Sequence, residues 1–250
     1  MGSPEETGAH ALREIEAGND WYTSSQFAWA RQPCVCRIYE RRRQFFRACI
    51  ERAKHRRAGV LRLLDAGCGD GYWLHEFAGI RELETTGVDY NPLRVERARK
   101  AAPAARVVLG DLASLKPEET FDVILCSQVI EHVADDVALL RLLRGLLAPG
   151  GTLILGTTNE GSALHRRRMR KMGSPSQTDH VHFYTEAEVT RKLRETGFGV
   201  DCVMREVFAL GNERLYYWLN ARAWGFALLE GLTALWPAEC SDFYFECRIP

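Results

Sequence analysis

Residues 60–71 read VLRLLDAGCGDG: an apolar run, then three glycines at alternate positions, then a segment with helical spacing. A strand that stops in glycines and turns at once into a helix needs backbone conformations that side chains resist, and it brings bare backbone close to whatever occupies the turn. This feature commits the chain to a strand–turn–helix unit with a ligand-sized opening at the strand's carboxyl end.

The same rhythm continues downstream. Thr85–Asp89 reads as a strand, followed by a helix from Pro92 to about Ala102, since proline suits a first helical turn. Arg106–Leu109 and Phe121–Cys126 are further apolar strands. Asp135 or Asp136 can cap a helix in which Leu139, Leu142, Leu143, Leu146 and Leu147 follow helical spacing. Pro149-Gly150-Gly151 ends that helix before a strand at Thr152–Gly156, and Thr185 with Glu188 forms a capping-box pattern for a helix ending near Gly197. Val200–Met204 and Phe243–Cys247 supply two last strands. Upstream, Ile38, Phe45, Cys49 and Ile50 form the apolar stripe of a helix, and residues 1–20 read as a polar tail. Strands alternating with helices imply a parallel sheet with right-handed crossovers, an open α/β fold.

Composition removes several function classes. The 250 residues carry 33 basic and 33 acidic side chains, so global charge gives no reason to expect nucleic acid or a membrane as partner. No stretch approaches the ~20 apolar residues of a membrane span, and the first twenty residues lack a signal-like apolar run. The eight cysteines are scattered without a CxxC pair, so neither a zinc site nor a disulfide framework is expected, and a reducing cytoplasm is the expected compartment.

The ends of the strands carry the chemistry. Asp65 and Asp70 flank the glycine loop, Asp89 ends the second strand and Asp111 the third, and the fourth ends in Cys126-Ser127-Gln128. Open α/β sheets bind ligands at this edge. A dinucleotide site wants its third glycine at position 72, but Tyr72 stands there and the glycine is Gly71. Carboxylates also repel a diphosphate and favour a ligand with an ammonium and a positive sulfur, which points to S-adenosylmethionine rather than NAD. Acidic residues at strand ends are often plain turn residues; four at one edge are not readily explained that way.

The segments LLDAGCGDG, TGVDYNP, VVLGDL, FDVILCSQVIEHV and LLAPGGTLILGTTN, in that order, resemble class I S-adenosylmethionine-dependent methyltransferases over about residues 59–200, in the branch with ubiquinone-biosynthesis O-methyltransferases and many small-molecule methyltransferases. The resemblance implies a Rossmann-like, doubly wound, seven-stranded sheet in the order 3-2-1-4-5-7-6 with the last strand antiparallel, N-terminal helices and a helical insertion. It implies a tail and helical cap at 1–58 and a methyltransferase domain at 59–250, with a lid-like insertion at 159–184 and an aromatic helical insertion at 207–238. It also implies donor contacts from Asp65, Gly67, Cys68 and Gly69, from Asp89 and Tyr90 at the ribose, from Asp111 and Leu112 at the adenine, and from Ser127 and Gln128 at the rim. S-adenosylhomocysteine would be the product.

Methyl transfer is an in-line displacement that needs the nucleophile ~3–3.5 Å from the methyl, and a hydroxyl nucleophile is helped by a base. His132, His180 and His182 are the candidates. His132 either acts directly or braces its loop. His180 and His182 alternate on an extended segment, so only one faces the pocket, zinc ligation by that pair is unattractive, and no metal is expected. The run His165–Lys171 is a solvated helix face or a lid whose Arg167 and Arg168 hold an anion or press on lipid headgroups. Tyr184 and Tyr22 are further substrate candidates, and Trp21, Tyr22 and Phe27 an aromatic lid. The aromatics between Leu215 and Trp236 are core or dimer contacts, or a wall for a lipid-like acceptor. The expected activity is O-methylation of a small-molecule, sugar or lipid-linked acceptor by a monomer or homodimer that can touch a membrane peripherally. The alternatives are N-methylation of an amine or amino sugar, RNA methylation, and a non-catalytic cofactor-binding module.

Overall fold

Alternation along the strands decides which side of the sheet each residue serves, and the computed structural model, which describes residues 24–57, 59–115, 119–172 and 179–249, shows both sides filled. The strands are β1 (Leu61–Ala66), β2 (Leu83–Asp89), β3 (Arg106–Leu109), β4 (Phe121–Ser127), β5 (Leu147–Thr158), β6 (Gly199–Arg205) and β7 (Asp242–Arg248). They form one seven-stranded sheet in the order β3-β2-β1-β4-β5-β7-β6. All neighbours run parallel except β7, which is antiparallel to both β5 and β6. The expected order and the reversed last strand are both present.

Between them lie α1 (Gln26–Ala30), α2 (Cys36–Arg56), α3 (Tyr72–Phe77), α4 (Pro92–Ala101), α5 (Asp136–Leu146), α6 (Ala163–Met172), α7 (Glu186–Glu195), α8 (Glu213–Asn220) and α9 (Ala223–Leu235). Leu61, Leu63, Val123, Leu125 and Ile154 turn to one face and meet Phe46 and Ile50 of α2 with Trp73 and Phe77 of α3. Leu64, Ala66, Ile124, Cys126, Leu153 and Leu155 turn to the other and meet Leu139, Leu140 and Leu143 of α5 with Val189 and Leu193 of α7. A parallel sheet must be covered on both sides, because each of its strands alternates apolar residues to both.

Asp135 caps α5, and Thr185 and Glu188 complete a capping box on α7, as read from the sequence. Asn91, which carried no such reading, caps α4 by accepting from the N–H groups of Leu93 and Arg94. Two details differ from expectation. On α2 the fully buried phenylalanine is Phe46, not Phe45. β5 starts at Leu147, ahead of Pro149-Gly150-Gly151, because Leu147 pairs with Phe121 before the register shifts to Val123–Thr152. No helix among the described residues is long and apolar enough to cross a membrane, and all eight cysteines are free.

Candidate active site

The loop between β1 and α3 is built around two glycines at which any side chain would be strained. Gly67 lies at φ +78°, and a Cβ there would stand 2.5 Å from Cγ2 of Val129. Gly71, also at φ +78°, caps α3, and its Cβ would meet Ala98 at 2.9 Å. The loop is pinned from below, since Gly67 and Cys68 donate their N–H groups to the Val88 carbonyl. Asp89 completes the clamp: one carboxylate oxygen accepts from Gly69 N at 2.8 Å and the other from Asn91 N at 2.9 Å. Burial raises its pKa above the ordinary carboxylate range, against the pull of these N–H groups and the Arg94 charge.

The other aspartates behave differently from one another. Asp65 is 1 % exposed, and its Oδ2 has no hydrogen-bond partner among the described residues. Burial, with the Asp89 charge nearby, pushes its pKa up to about 8, which favours the protonated form at neutral pH. Asp70 is also buried, but it accepts from Gln26 N at 2.9 Å and lies 3.7 Å from Arg97. Asp111 is exposed and caps the 3-10 turn Leu112–Ser114, accepting from Ala113 N at 2.8 Å. The four aspartates thus stand in different settings: burial favours the neutral form of Asp65, Asp70 is paired, Asp111 caps a turn, and Asp89 clamps the N–H groups of Gly69 and Asn91. A glycine floor, a clamped carboxylate and an orphaned buried carboxyl oxygen fit a ligand that brings ribose hydroxyls and positive charge. Cys68 is 3 % exposed in a cluster with Leu74, Val95 and Ala98, so it can offer such a ligand its backbone only. Tyr90 is exposed beside Asp89, Leu112 is buried at the foot of its turn, and Phe27 of α1 packs on Tyr72.

β4 delivers the second half of the site. Gln128 takes φ +58°, unusual for a side-chain-bearing residue, and Ser127 Oγ and Gln128 Nε2 reach the Tyr244 hydroxyl at 3.3 and 3.4 Å. The next turn, Ile130–His132, carries Glu131, whose main-chain carbonyl accepts from Val181 N and whose Oε2 accepts from Thr157 Oγ1 at 2.9 Å. This ties the distant histidine segment to β4. The His132 and His180 rings meet edge to face with centroids 4.6 Å apart. His132 Nδ1 lies 3.3 Å from Asp179, and His180 Nδ1 lies 2.7 Å from Glu160 Oε2. Burial disfavours charge on His180, but the hydrogen bond and charge of Glu160, aided by Glu131 and Asp179, outweigh it and raise its pKa. Glu131, His132 and His180 each present a ligand atom within 4.8 Å of the others, a spacing that could also accept a cation.

His182 and Tyr184 do not join this group. His182 Nε2 faces the carbonyls of Val133 and Ala134 at 3.0 and 3.3 Å, and its ring stacks on Tyr184. Tyr184 is 3 % exposed, with its hydroxyl given to Asp136, so it packs the core instead of meeting a substrate. The basic run forms α6; Arg168 bonds Glu213 of α8 and lines a cavity of about 330 Å³ beside Glu160, whereas Arg167 is exposed. Trp21 and Tyr22 lie outside the described residues. Sequence reasoning missed Gln26, Glu160 and His165. Glu160 follows β5 at the same carboxyl edge as Asp89 and could have been found by that rule; Gln26 and His165 carry no local signal. A larger groove of about 740 Å³ borders Arg166, Arg191 and Arg194 and includes none of the glycine-loop or histidine residues.

Residues 38–203, more than half of the chain, match the family model described as a methyltransferase domain. The chain belongs to the methyltransferase-domain family. Its relatives include a probable S-adenosylmethionine-dependent methyltransferase of Mycolicibacterium smegmatis, 32 % identical over 60 % of this chain and 56 % of that protein. Another is the ubiquinone biosynthesis O-methyltransferase of Aeromonas salmonicida, 31 % identical over 54 % of this chain and 62 % of that protein. The chain thus spans little more than half the length of these relatives. The N-methyltransferase NodS of Bradyrhizobium japonicum, solved with S-adenosyl-L-homocysteine, superposes with a TM-score of 0.54 at 16 % identity, covering 83 % of this chain and 87 % of NodS, a likeness of fold. S-adenosylmethionine is the methyl donor of this family.

Proposed function

We propose that the protein is an S-adenosylmethionine-dependent methyltransferase acting on an oxygen of a small-molecule acceptor. One observation carries the reading: the edge-to-face contact of His132 and His180, with His180 bound to Glu160, at the strand ends that also carry the clamped Asp89. When bound, the cofactor supplies an electrophilic methyl group. Asp89 would hold its ribose, the Gly67–Gly69 backbone its amino-acid end, and Asp111 with Leu112 its adenine. His132, with Nδ1 turned to Asp179, keeps Nε2 for the proton of an acceptor hydroxyl. Glu160 fixes the ring of His180 and favours its charged form beside that base. The remaining requirement is positional, because a displacement gains most from holding its partners in line and dry.

The test is transfer of a carbon-13 methyl from labelled cofactor, with the product read by NMR. An O-methyl signal that falls at least about 100-fold in His132→Ala, with S-adenosylhomocysteine binding retained, supports the assignment. An N-methyl product, or full turnover in His132→Ala, overturns it.

A further inference from the structure

We infer that the cavity beside His180 is built for a neutral, hydroxyl-rich ring, a sugar or cyclitol, which it holds as the methyl acceptor. This rests on the methyl-transfer reading above. The cavity is about 330 Å³, near the lower end of the range of ligand pockets, which suits a single substituted ring.

Its charged lining is already committed. Arg42 is buried between the Tyr39 and Tyr244 rings, hydrogen-bonds both oxygens of Glu206 and lies 3.4 Å from Asp242. Arg168 bonds Glu213 at 3.0 Å, and Glu160 bonds His180 at 2.7 Å. An anionic ligand would find its arginines already matched, and a cationic one would find its carboxylates matched. An alkyl chain fares no better, because it would strip water from these ion pairs and return no hydrogen bonds. Paired carboxylates and guanidinium groups still offer lone pairs and N–H groups to neutral hydroxyls at little cost.

Three side-chain atoms on residues lining this cavity are buried without a hydrogen-bond partner among the described residues: Thr158 Oγ1 at the end of β5, Ser241 Oγ, and His165 Nε2 on α6, which lies 3.9 Å from Glu160 Oε1. Burial also lowers the pKa of His165, which keeps it a neutral donor or acceptor. Buried polar atoms of this kind are normally satisfied, so a ligand hydroxyl at each is the economical completion of the site. On the opposite wall Trp29 and Tyr217 stand edge to face at 6.3 Å and offer aromatic surface to the C–H face of a ring. Thr158 lies two residues beyond Gly156, the residue paired with Ser127, and α1 runs from Gln26, whose N–H is held by Asp70 of the glycine loop, to Trp29 of the cavity wall. The acceptor would therefore sit next to the methyl donor.

The experiment is saturation-transfer NMR on the whole chain, with and without S-adenosylhomocysteine. The probes are a panel of methyl hexopyranosides, myo-inositol, catechol and phenylethylamine. Binding of a hexoside or of inositol, weakened about tenfold or more in Thr158→Val and in His165→Phe and partly restored in His165→Gln, supports the proposal. Catechol or the amine binding in the cavity while no hexoside or inositol does so at about 10 mM overturns it, as does ring binding indifferent to both variants. S-adenosylhomocysteine binding is measured in parallel: its loss in the wild type would refute methyl transfer, while its retention without ring binding would refute this acceptor class alone.

Discussion

The Asp89 carboxylate accepts the N–H of Gly69 at 2.8 Å, so the end of β2 holds the floor of the loop that follows β1. Replacing Asp89 with alanine removes the proposed ribose contact and also leaves two buried N–H groups, those of Gly69 and Asn91, without an acceptor. The expected outcome is a fall in S-adenosylhomocysteine affinity of about 100-fold by calorimetry, with a stability loss of about 1–3 kcal/mol. Unchanged affinity would remove Asp89 from the donor site.

Gly67→Ala combines a left-handed backbone with a Cβ placed 2.5 Å from Val129. It should destabilise the protein by about 1–3 kcal/mol, measured by urea denaturation. Adding Val129→Ala should return only the steric part, because the backbone strain at φ +78° stays.

Asp65 provides a pH test. Its folded pKa is raised to about 8 by burial and the Asp89 charge, so the folded state binds the extra proton. Stability from this group is complete below its unfolded pKa of about 4 and is lost progressively as pH rises towards 8. Asp65→Asn should therefore match the wild type near pH 4 and exceed it in urea midpoint near pH 8.5. Parallel curves across that window would contradict the assignment.

His180 gives a second pH test with the same sign. Burial opposes its charge but Glu160 prevails and raises the pKa, so its stabilising pairing is complete below about 6.5 and lost as pH rises through the higher folded value. Glu160→Gln should lower the His180 pKa in an NMR titration and move the corresponding limb of the pH–rate profile towards acid. A profile that does not move would leave Glu160 outside the reaction.

Tyr184→Phe should cost about 1–2 kcal/mol of stability through the lost hydrogen bond to Asp136, while turnover of the folded fraction changes less than about twofold. A large drop in turnover with normal stability would restore Tyr184 as a substrate contact.

The strand order and the reversal of β7 followed from the family resemblance of the segments over about residues 59–200, whereas the caps at Asp135 and Thr185 and the strand, glycine turn and helix at Leu61–Phe77 were legible in the local sequence. These local features depend on periodicity, on capping side chains or on backbone angles that glycine tolerates, and these are properties of neighbours in sequence. The protonation of Asp65, the pairing of Asp70 with Gln26 and Arg97, and the choice of His180 over His182 were decided by packing. Val181 and His182 hang by their N–H groups from the carbonyl of Glu131, and that tie, between residues about fifty positions apart, sets which imidazole meets His132 and which one braces the loop. Alternation said that the two rings diverge; direction relative to the rest of the molecule comes only from the contacts that fix the segment's rotation. The acceptor cavity is of the same kind, for Trp29, Thr158, His165 and Tyr217 come from four separate elements, and their shared wall exists only once burial has drawn those elements together.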